Sequence, residues 1–377
     1  MGLAYSKDMK IAFLAAANSV HSVRWIKFFA DRGHEIVWIT LAPPNKDAEE
    51  LIKNHAEKIS FHEIHPSPLA DINGTLAILH SPLAVWHIKR IFKKTAPDVL
   101  HIHSGGTYGL VGTLAGFHPA VLTPWGSDIL LNAGFKKRLV EYVIRHADYF
   151  TCDGENTIEK LVELGAKREK IDLIRFGVDV EKFKPQPKPI DPRKPVTVIS
   201  LRTLIPVYDL ETLINAAAIV LKKVSSVNFV IAGDGDQRPY LEKLSKDLGV
   251  DTFIKFLGRY SPGDLPGMFK EVDIYVSTAL SDSGLSASTA EAMAAGLPVV
   301  VSDSGDNHTW IKENRGGFVF PCGDAKILAD KLIYLIQNPE ARMSFGVWNR
   351  HVIEEKNNYY REMAKVEIIY QKLAEAT

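Results

Sequence analysis

Residues 273–305 read DIYVSTALSDSGLSASTAEAMAAGLPVVVSDSG, and the order of residue types is that of a strand, a loop, a helix and a second strand. DIYVST is short and rich in β-branched and aromatic residues, ALSDSG has the composition of a loop, and SASTAEAMAA has that of a helix. Gly296 is placed to end this helix and Pro298 to keep it from continuing, and the strand VVV follows at once. The helix is expected to begin between Gly284 and Ser286, where Ser and Gly suit capping and close backbone approach. Its unpaired N–H groups and dipole favour an anion such as phosphate, by roughly 0.3–1 kcal/mol for an exposed charge. Glu291 is the one charge in the helix. Seven residues after Gly284, about two turns, it is expected on the same face roughly 10 Å further along. A carboxylate only accepts hydrogen bonds, so two neighbouring hydroxyls, such as those of a ribose, match it chemically. The positions three and four away are Ala287, Ser288, Ala294 and Ala295, so no cation of the same helix answers it. A solvated helix glutamate is the alternative.

The same grammar extends outward in both directions. Before residue 180 the runs KIAFLAAA, HEIVWIT, KISFHEI, DVLHIHS, AVLTPW, YFTCDG and IDLIRFG alternate with amphipathic stretches, and VTVISLR, VNFVIAGDG, TFIKFLG, DIYVST, VVVSDSG and GFVFPC do so after residue 195. This alternation predicts parallel sheets covered on both faces. Between the two sets, VEKFKPQPKPIDPRKP (180–195) reads as a linker. The expected fold is α/β, with two Rossmann-like doubly wound domains, 1–180 and 195–345, facing a central cleft where ligands bind at strand ends. Residues 346–377 are expected to form a helical segment, with packing back on the first domain as one option.

Lys plus Arg number 45 and Asp plus Glu 45, so net charge gives no sign of nucleic acid as a partner. Cys152 and Cys322 are the two cysteines; they make neither a disulfide framework nor a metal-ligand spacing, which fits a cytoplasmic, reducing location. No run approaches the roughly 20 apolar residues of a membrane span. His101 and His103 share one strand face, but without further ligands they read as structural. HExxH, Walker, GxGxxG and GxSxG patterns are missing, which argues against metalloprotease, kinase, dehydrogenase and hydrolase chemistry. The segment LAVWHIKRIFKK carries Lys89, Arg90, Lys93 and Lys94 without an acid, and KKR at 136–138 adds a second basic group. They suit peripheral contact with an anionic membrane; a solvated basic helix face has the same pattern.

TAEAMAAGLPVVVSDSGDNHTWI, with IAGDGDQRPYLEKL, FLGRYSPGDLPGMFKEVDIYVST and GGFVFPCGD, resembles the C-terminal domain of the GT-B retaining glycosyltransferases of family four, the glycosyl transferases group 1. IAFLAAANSVHSVRWIKFFADRGHEIVWIT resembles the family's first βαβ unit, and IRFGVDVEKFKP its end-of-domain signature. The resemblance thus covers nearly the whole chain, with EAMAAGLPVV its most specific piece. It implies transfer of a sugar from a nucleotide-diphosphate sugar to a hydroxyl acceptor. Configuration is retained, no metal or other cofactor is needed, and the setting is polysaccharide, lipopolysaccharide or glycolipid assembly. Glu291 matches the final Glu of the family's paired-glutamate motif and is expected to hold the donor ribose. Arg202 matches the arginine that neutralises the departing diphosphate, a task suited to its rigid fork of donors. Gly233, Asp234, Gly235, Gly258 and Arg259 occupy positions near the nucleotide in relatives, and Gly284, Leu285 and Ser286 at the helix start are further donor-binding candidates.

The chain also departs from that pattern. The family's first Glu is replaced by Ser283, with Asp282 beside it as a candidate for the donor-sugar contact. The lysine that often follows the arginine is missing, and Tyr208 is the nearest counterpart. Trp125 stands where many relatives have a histidine; it suits stacking on a sugar or packing in the core. In the first domain Asn18, Ser19, Ser104, Gly105, Gly106, Trp125 and Asp128 are the candidate acceptor or reacting-centre residues, the polar ones being ordinary turn or cap types as well. A rearranged transferase site is the favoured reading. The alternatives are a silent nucleotide-sugar-binding subunit, or a GT-B epimerase or phosphorylase.

Overall fold

The computed structural model describes residues 8–64, 81–125, 127–130, 134–186, 191, 193–282 and 284–376. The chain divides into two units, Met1–Arg175 with Arg361–Thr377, and Phe176–Tyr360.

In the first unit seven strands form one sheet: β1 (Lys10–Leu14), β2 (Glu35–Thr40), β3 (Ile59–Glu63), β4 (Val99–His103), β5 (Ala120–Thr123), β6 (Tyr149–Cys152) and β7 (Ile171–Leu173). Their spatial order is β3-β2-β1-β4-β5-β6-β7, and each neighbouring pair is parallel. The second unit holds β8 (Val196–Leu201), β9 (Val227–Ala232), β10 (Ile254–Gly258), β11 (Ile274–Ser277), β12 (Val299–Ser302) and β13 (Gly317–Phe320). Their order is β10-β9-β8-β11-β12-β13, again parallel throughout. Each of the thirteen apolar runs of the sequence supplies one of these strands.

The strands are apolar along their length because both faces are covered. Val198, Phe229, Ile231, Val276 and Val300 belong to one buried cluster of the second unit, and Ile199, Leu201, Tyr275, Val299 and Val301 to another, as the two-residue period of a strand requires. Strand order reverses between β1 and β4 in one sheet and between β8 and β11 in the other. Loops leaving those strands at their carboxyl ends diverge and open a crevice, the usual ligand position in such sheets.

The units meet in sequence at 175/176 and 360/361, so the proline-rich stretch at 180–195 lies within the second unit rather than between two domains. Its composition hid two anchors. Val180 and Phe183 are buried in the second unit's core, and Arg350 Nη1 donates to their carbonyls at 3.0 and 2.6 Å. The last helix, Tyr359–Glu375, contributes to the first unit: buried Glu367 accepts from Arg32 (3.0 Å) and contacts His34 Nε2 (2.9 Å). The Tyr370 hydroxyl of the same helix contacts His101 Nδ1.

Candidate functional site

Arg202 follows β8 directly and points along the switch-point crevice. It lines an open pocket of about 470 Å³ with Thr203, Tyr208, Gly233, Asp234, Arg259, Tyr260 and other residues. The Arg202 side chain is 8% exposed. Its Nε and Nη2 donate to the Ser277 hydroxyl at 3.1 and 2.9 Å, and Nη1 and Nη2 donate to the two carboxylate oxygens of Asp282 at 3.2 and 2.6 Å. Burial opposes the charge, but Tyr275, Asp282 and Tyr208 favour it and hold the Arg202 pKa above its ordinary value. Asp282 is raised above the usual carboxylate range by burial, with Arg202 pulling the other way. Desolvation therefore outweighs the pairing at the carboxylate, while the guanidinium stays charged.

Glycines permit the pocket's floor. The Gly233 N–H donates to the Gly258 carbonyl at 2.9 Å, and Gly233 has φ +146° with the Arg202 carbonyl 2.1 Å from where a Cβ would stand. No other residue lets the β9 loop lie against β8 so closely. Asp234 accepts from the Gly235 N–H at 3.0 Å and has Arg259 Nε 3.6 Å away. The Arg259 side chain is 89% exposed, leaving its charge free to reorient toward the pocket. Tyr208 lies with its ring 5.0 Å from the Arg202 guanidinium carbon, so the residue standing for the family's lysine covers the arginine instead of adding a cation.

The helix that carries Glu291 spans Ala287–Ala294, with Ser286 as N-cap accepting from the Thr289 N–H at 3.3 Å. It ends in paired bonds, Gly296 N–H to Met293 O and Leu297 N–H to Ala292 O, both 3.0 Å, with Gly296 at φ +76°; this is the left-handed glycine stop read from the sequence. Gly284 has φ +81° and stands outside the helix. Glu291 is therefore the fifth helical residue, about 6 Å along the axis from the first, and the expected two-turn repeat from Gly284 does not occur. Leu285 is half-buried against the core beneath. Ser283 lies outside the described residues.

Three residues of this region escaped the sequence reading. Tyr275, fully buried on β11, contacts the Ser288 hydroxyl at 2.8 Å and the Thr289 hydroxyl at 3.4 Å, tying helix to sheet. Ser277, two residues on, holds Arg202. Tyr260 lines the pocket, and its phenol is pushed up to about 12 by burial, with Tyr275 and Glu291 adding and Arg202 opposing. Tyr260 thus lies within electrostatic reach of both Glu291 and Arg202. The alternation of IYVS was the available signal, since Tyr275 and Ser277 share a strand face.

In the first unit, Ser19 caps the helix Val20–Asp31 and Asn18 offers its carbonyl to Asn45 Nδ2 at 3.2 Å. Ser104 has φ +91°, a strained value for a residue with a Cβ, and its hydroxyl accepts from the Gly106 N–H at 3.2 Å. Asp128 joins the loops after β4 and β5: one oxygen accepts from the Gly105 N–H at 2.6 Å, the other from the Trp125 N–H at 2.8 Å. Trp125 is half-buried, edge-on to His103 at 5.2 Å and to Trp25 at 6.3 Å. His103 and its strand neighbour His101 are both buried, and their imidazoles contact Ser22 Oγ (3.1 Å) and Thr123 Oγ1 (2.6 Å) respectively. Among the described residues no group of three or more His, Cys, Asp or Glu is gathered as metal ligands would be.

The sequence profile described as Glycosyl transferases group 1 matches residues 181–351, and that described as Glycosyl transferase 4-like matches residues 10–154. The phosphatidyl-myo-inositol mannosyltransferase of Mycobacterium leprae is 29% identical over 85% of this chain and 84% of its own. The putative glycosyltransferase EpsD of Bacillus subtilis is 26% identical over 74% of this chain and 79% of its own. The amylovoran biosynthesis glycosyltransferase AmsK of Erwinia amylovora is 27% identical over 55% of this chain, which spans about half that relative, 53%. Among solved structures, a glycosyltransferase from Rickettsia africae superposes with a TM-score of 0.79 at 17% identity, covering 99% of this chain and 100% of that one. Anabaena HepE in complex with UDP gives 0.76 at 17%, covering 97% and 100%. With both halves matched in sequence and both sheets parallel, the chain belongs to the glycosyl transferases group 1 and has the GT-B fold of two Rossmann-like units.

Proposed function

We propose that the protein is a retaining, metal-independent glycosyltransferase that moves a sugar from a nucleotide-diphosphate sugar to a hydroxyl acceptor in the assembly of a polysaccharide, lipopolysaccharide or glycolipid. The observation that carries this reading is the buried Arg202 guanidinium at the switch point of the second sheet, in the pocket with Arg259 and with Tyr260, which lies within electrostatic reach of both Arg202 and Glu291. Arg202 and the N–H groups before Ala287 would stabilise the charge that grows on the departing diphosphate, and Glu291 would take the ribose hydroxyls. Fixed donors of this kind act without reorganising, which is where their catalytic effect lies. In the step, the bond from the anomeric carbon to the phosphate oxygen breaks and one to the acceptor oxygen forms on the same face. The acceptor proton passes to a diphosphate oxygen. The first unit's loops, held by Asp128 and including Asn18, Ser19 and Ser104, would bind the acceptor. Support for the donor class comes from the relatives, among them a GDP-mannose-dependent mannosyltransferase of Mycolicibacterium smegmatis, and from the UDP bound in Anabaena HepE.

The acceptor side carries a basic face. On the helix Ser81–Thr95, Lys89, Arg90, Lys93 and Lys94 are exposed, with Trp86 49% and Leu83 51% exposed and Arg90 4.7 Å over the Trp86 ring. This helix and Gly134–His146, which bears exposed Lys136 and Arg138, both pack on the helix Thr107–Ala115, so the charges share one layer. No helix among the described residues is long and apolar enough to cross a membrane. Cations interleaved with exposed Trp and Leu suit an anionic lipid surface that presents a lipid-linked acceptor. Charge reversal at the four basic positions is expected to abolish binding to anionic vesicles; unchanged binding would remove this part of the reading.

A second reading, a nucleotide-sugar-binding subunit without transfer, is favoured by Tyr208 covering Arg202 in place of a second cation. Incubation with UDP-, GDP-, ADP- and TDP-sugars and a panel of hydroxyl acceptors, with chelator present, separates the two. Release of nucleoside diphosphate with glycoside formation supports the transferase; donor binding with neither transfer nor hydrolysis supports the silent subunit.

A further inference from the structure

A guanidinium has five N–H donors, and four of those on Arg202 are committed within the protein. Ser277 takes the Nε and one Nη2 hydrogen, and Asp282 takes one hydrogen from each of Nη1 and Nη2. One Nη1 hydrogen is left without a partner among the described residues. The two-pronged end of the fork, the part that pairs with carboxylates and phosphates alike, is turned toward Asp282. Both side chains are nearly out of water, 8% and 11% exposed, so this is not a screened surface contact. Tyr208 covers a face of the guanidinium. A diphosphate entering the pocket therefore meets a cation whose paired donors are already held by a carboxylate of the same chain.

Sharing is unfavourable. If the diphosphate used only the remaining Nη1 hydrogen, it would bring its charge beside the Asp282 carboxylate in a place with little water to screen the repulsion. Replacement has no such cost, because the fork fits either anion. Asp282 is suited to leave. It stands in the loop between β11 and the helix Ala287–Ala294, on neither element, and burial disfavours its charge even with Arg202 alongside.

We propose that Asp282 is a displaceable counter-ion for Arg202: it occupies the fork while the pocket is empty, the diphosphate takes its place, and its return to Arg202 helps expel the nucleoside diphosphate after transfer. This rests on the donor-site reading above and gives Asp282 a role at the phosphates in place of the donor-sugar contact expected from the sequence. It also explains how a site with Tyr208 in place of a lysine keeps its one deep cation from standing unpaired between turnovers.

Isothermal titration of the parent, Asp282→Asn and Asp282→Ser with UDP, GDP, ADP and TDP, and with the matching nucleosides, tests it, with the unliganded melting temperature of each protein recorded alongside. For a diphosphate that the parent binds, both variants are expected to bind about tenfold tighter, while affinity for the nucleoside stays within about twofold. In turnover, donor KM and kcat both fall, because product leaves more slowly. Diphosphate binding that is equal or weaker in both variants overturns the proposal and leaves the donor site standing. An equal gain for the nucleoside also overturns it, since the effect would not lie at the phosphates. If none of the three proteins binds any diphosphate, the donor-site reading fails and this proposal with it.

Discussion

Replacing Arg202 by Ala strips Asp282 and Ser277 of their partner at once. The Asp282 side chain, 11% exposed, becomes an uncompensated buried charge, which costs about 3–5 kcal/mol. In a unit the size of Phe176–Tyr360, each kcal/mol lowers Tm by about 2–4 °C, so a fall of about 6–20 °C is expected. Adding Asp282→Asn removes the stranded charge and leaves a neutral amide that the Ser277 hydroxyl or water can satisfy. The double variant should therefore regain about half of the lost stability or more. Transfer should not follow, because the departing diphosphate lacks its cation in both proteins, a loss of about 10²–10³ in kcat on the scale of a preorganised donor. Thermal unfolding followed by tryptophan fluorescence and nucleotide release under saturating donor measure the two effects separately. Arg202→Ala melting within about 2 °C of the parent, or a double variant less stable than the single, would refute the buried-pair reasoning. Recovery of activity together with stability would show that Arg202 acts through folding alone.

Other outcomes follow from the same geometry. Glu291→Gln puts an amide donor where two hydroxyls need acceptors, so donor KM should rise about tenfold with kcat and Tm little changed; an unchanged KM contradicts the ribose role. Asp128→Asn leaves one oxygen for the two backbone donors of Gly105 and Trp125, costing about 1–3 kcal/mol. It should raise acceptor KM while nucleoside diphosphate affinity stays at the parental value, and titration of both ligands checks the split. Burial depresses His101 well below its ordinary value, with His103 adding, and His103 to about 3, with His21 adding. The unfolded chain therefore binds more protons than the folded one below about pH 6.5, so stability is full above that pH and falls on acidification. The slope approaches about 1.4 kcal/mol per pH unit for each histidine. Urea midpoints between pH 7 and 4 should show it, and His103→Leu should flatten the curve; a parallel curve would place the titration elsewhere.

The fold was legible because each strand is a short apolar run closed by a turn, a local signal that needs no knowledge of neighbours. The Ala287–Ala294 helix was legible for the same reason: Ser286 and Gly296 mark its ends in the letters themselves. Arg202 was singled out through the family resemblance, and Glu291 through that resemblance and its place as the lone charge on the helix; both signals record position along the chain. What position along the chain could not show were pairings across the sheet. Ser277 and Asp282 reach Arg202 from 75 and 80 residues away, and only the β8–β11 adjacency brings them there. The proline-rich stretch failed for a related reason, since Val180 and Phe183 are held by Arg350 from a distant helix. Gly284 was read as helical because periodicity counts residues, whereas it has φ +81° in a loop whose Gly284 carbonyl lies 2.7 Å from where a Cβ on Gly305 would stand.

The measurement that bears most directly on the central claim is proton NMR of the reaction with each nucleotide sugar and a panel of alkyl glycoside acceptors, in chelator. Consumption of one donor, with the anomeric coupling of the first-formed glycoside equal to that of the donor, is the predicted result, and Glu291→Ala should need a higher donor concentration to reach the same rate. An inverted coupling, or activity that requires added metal, would contradict the account.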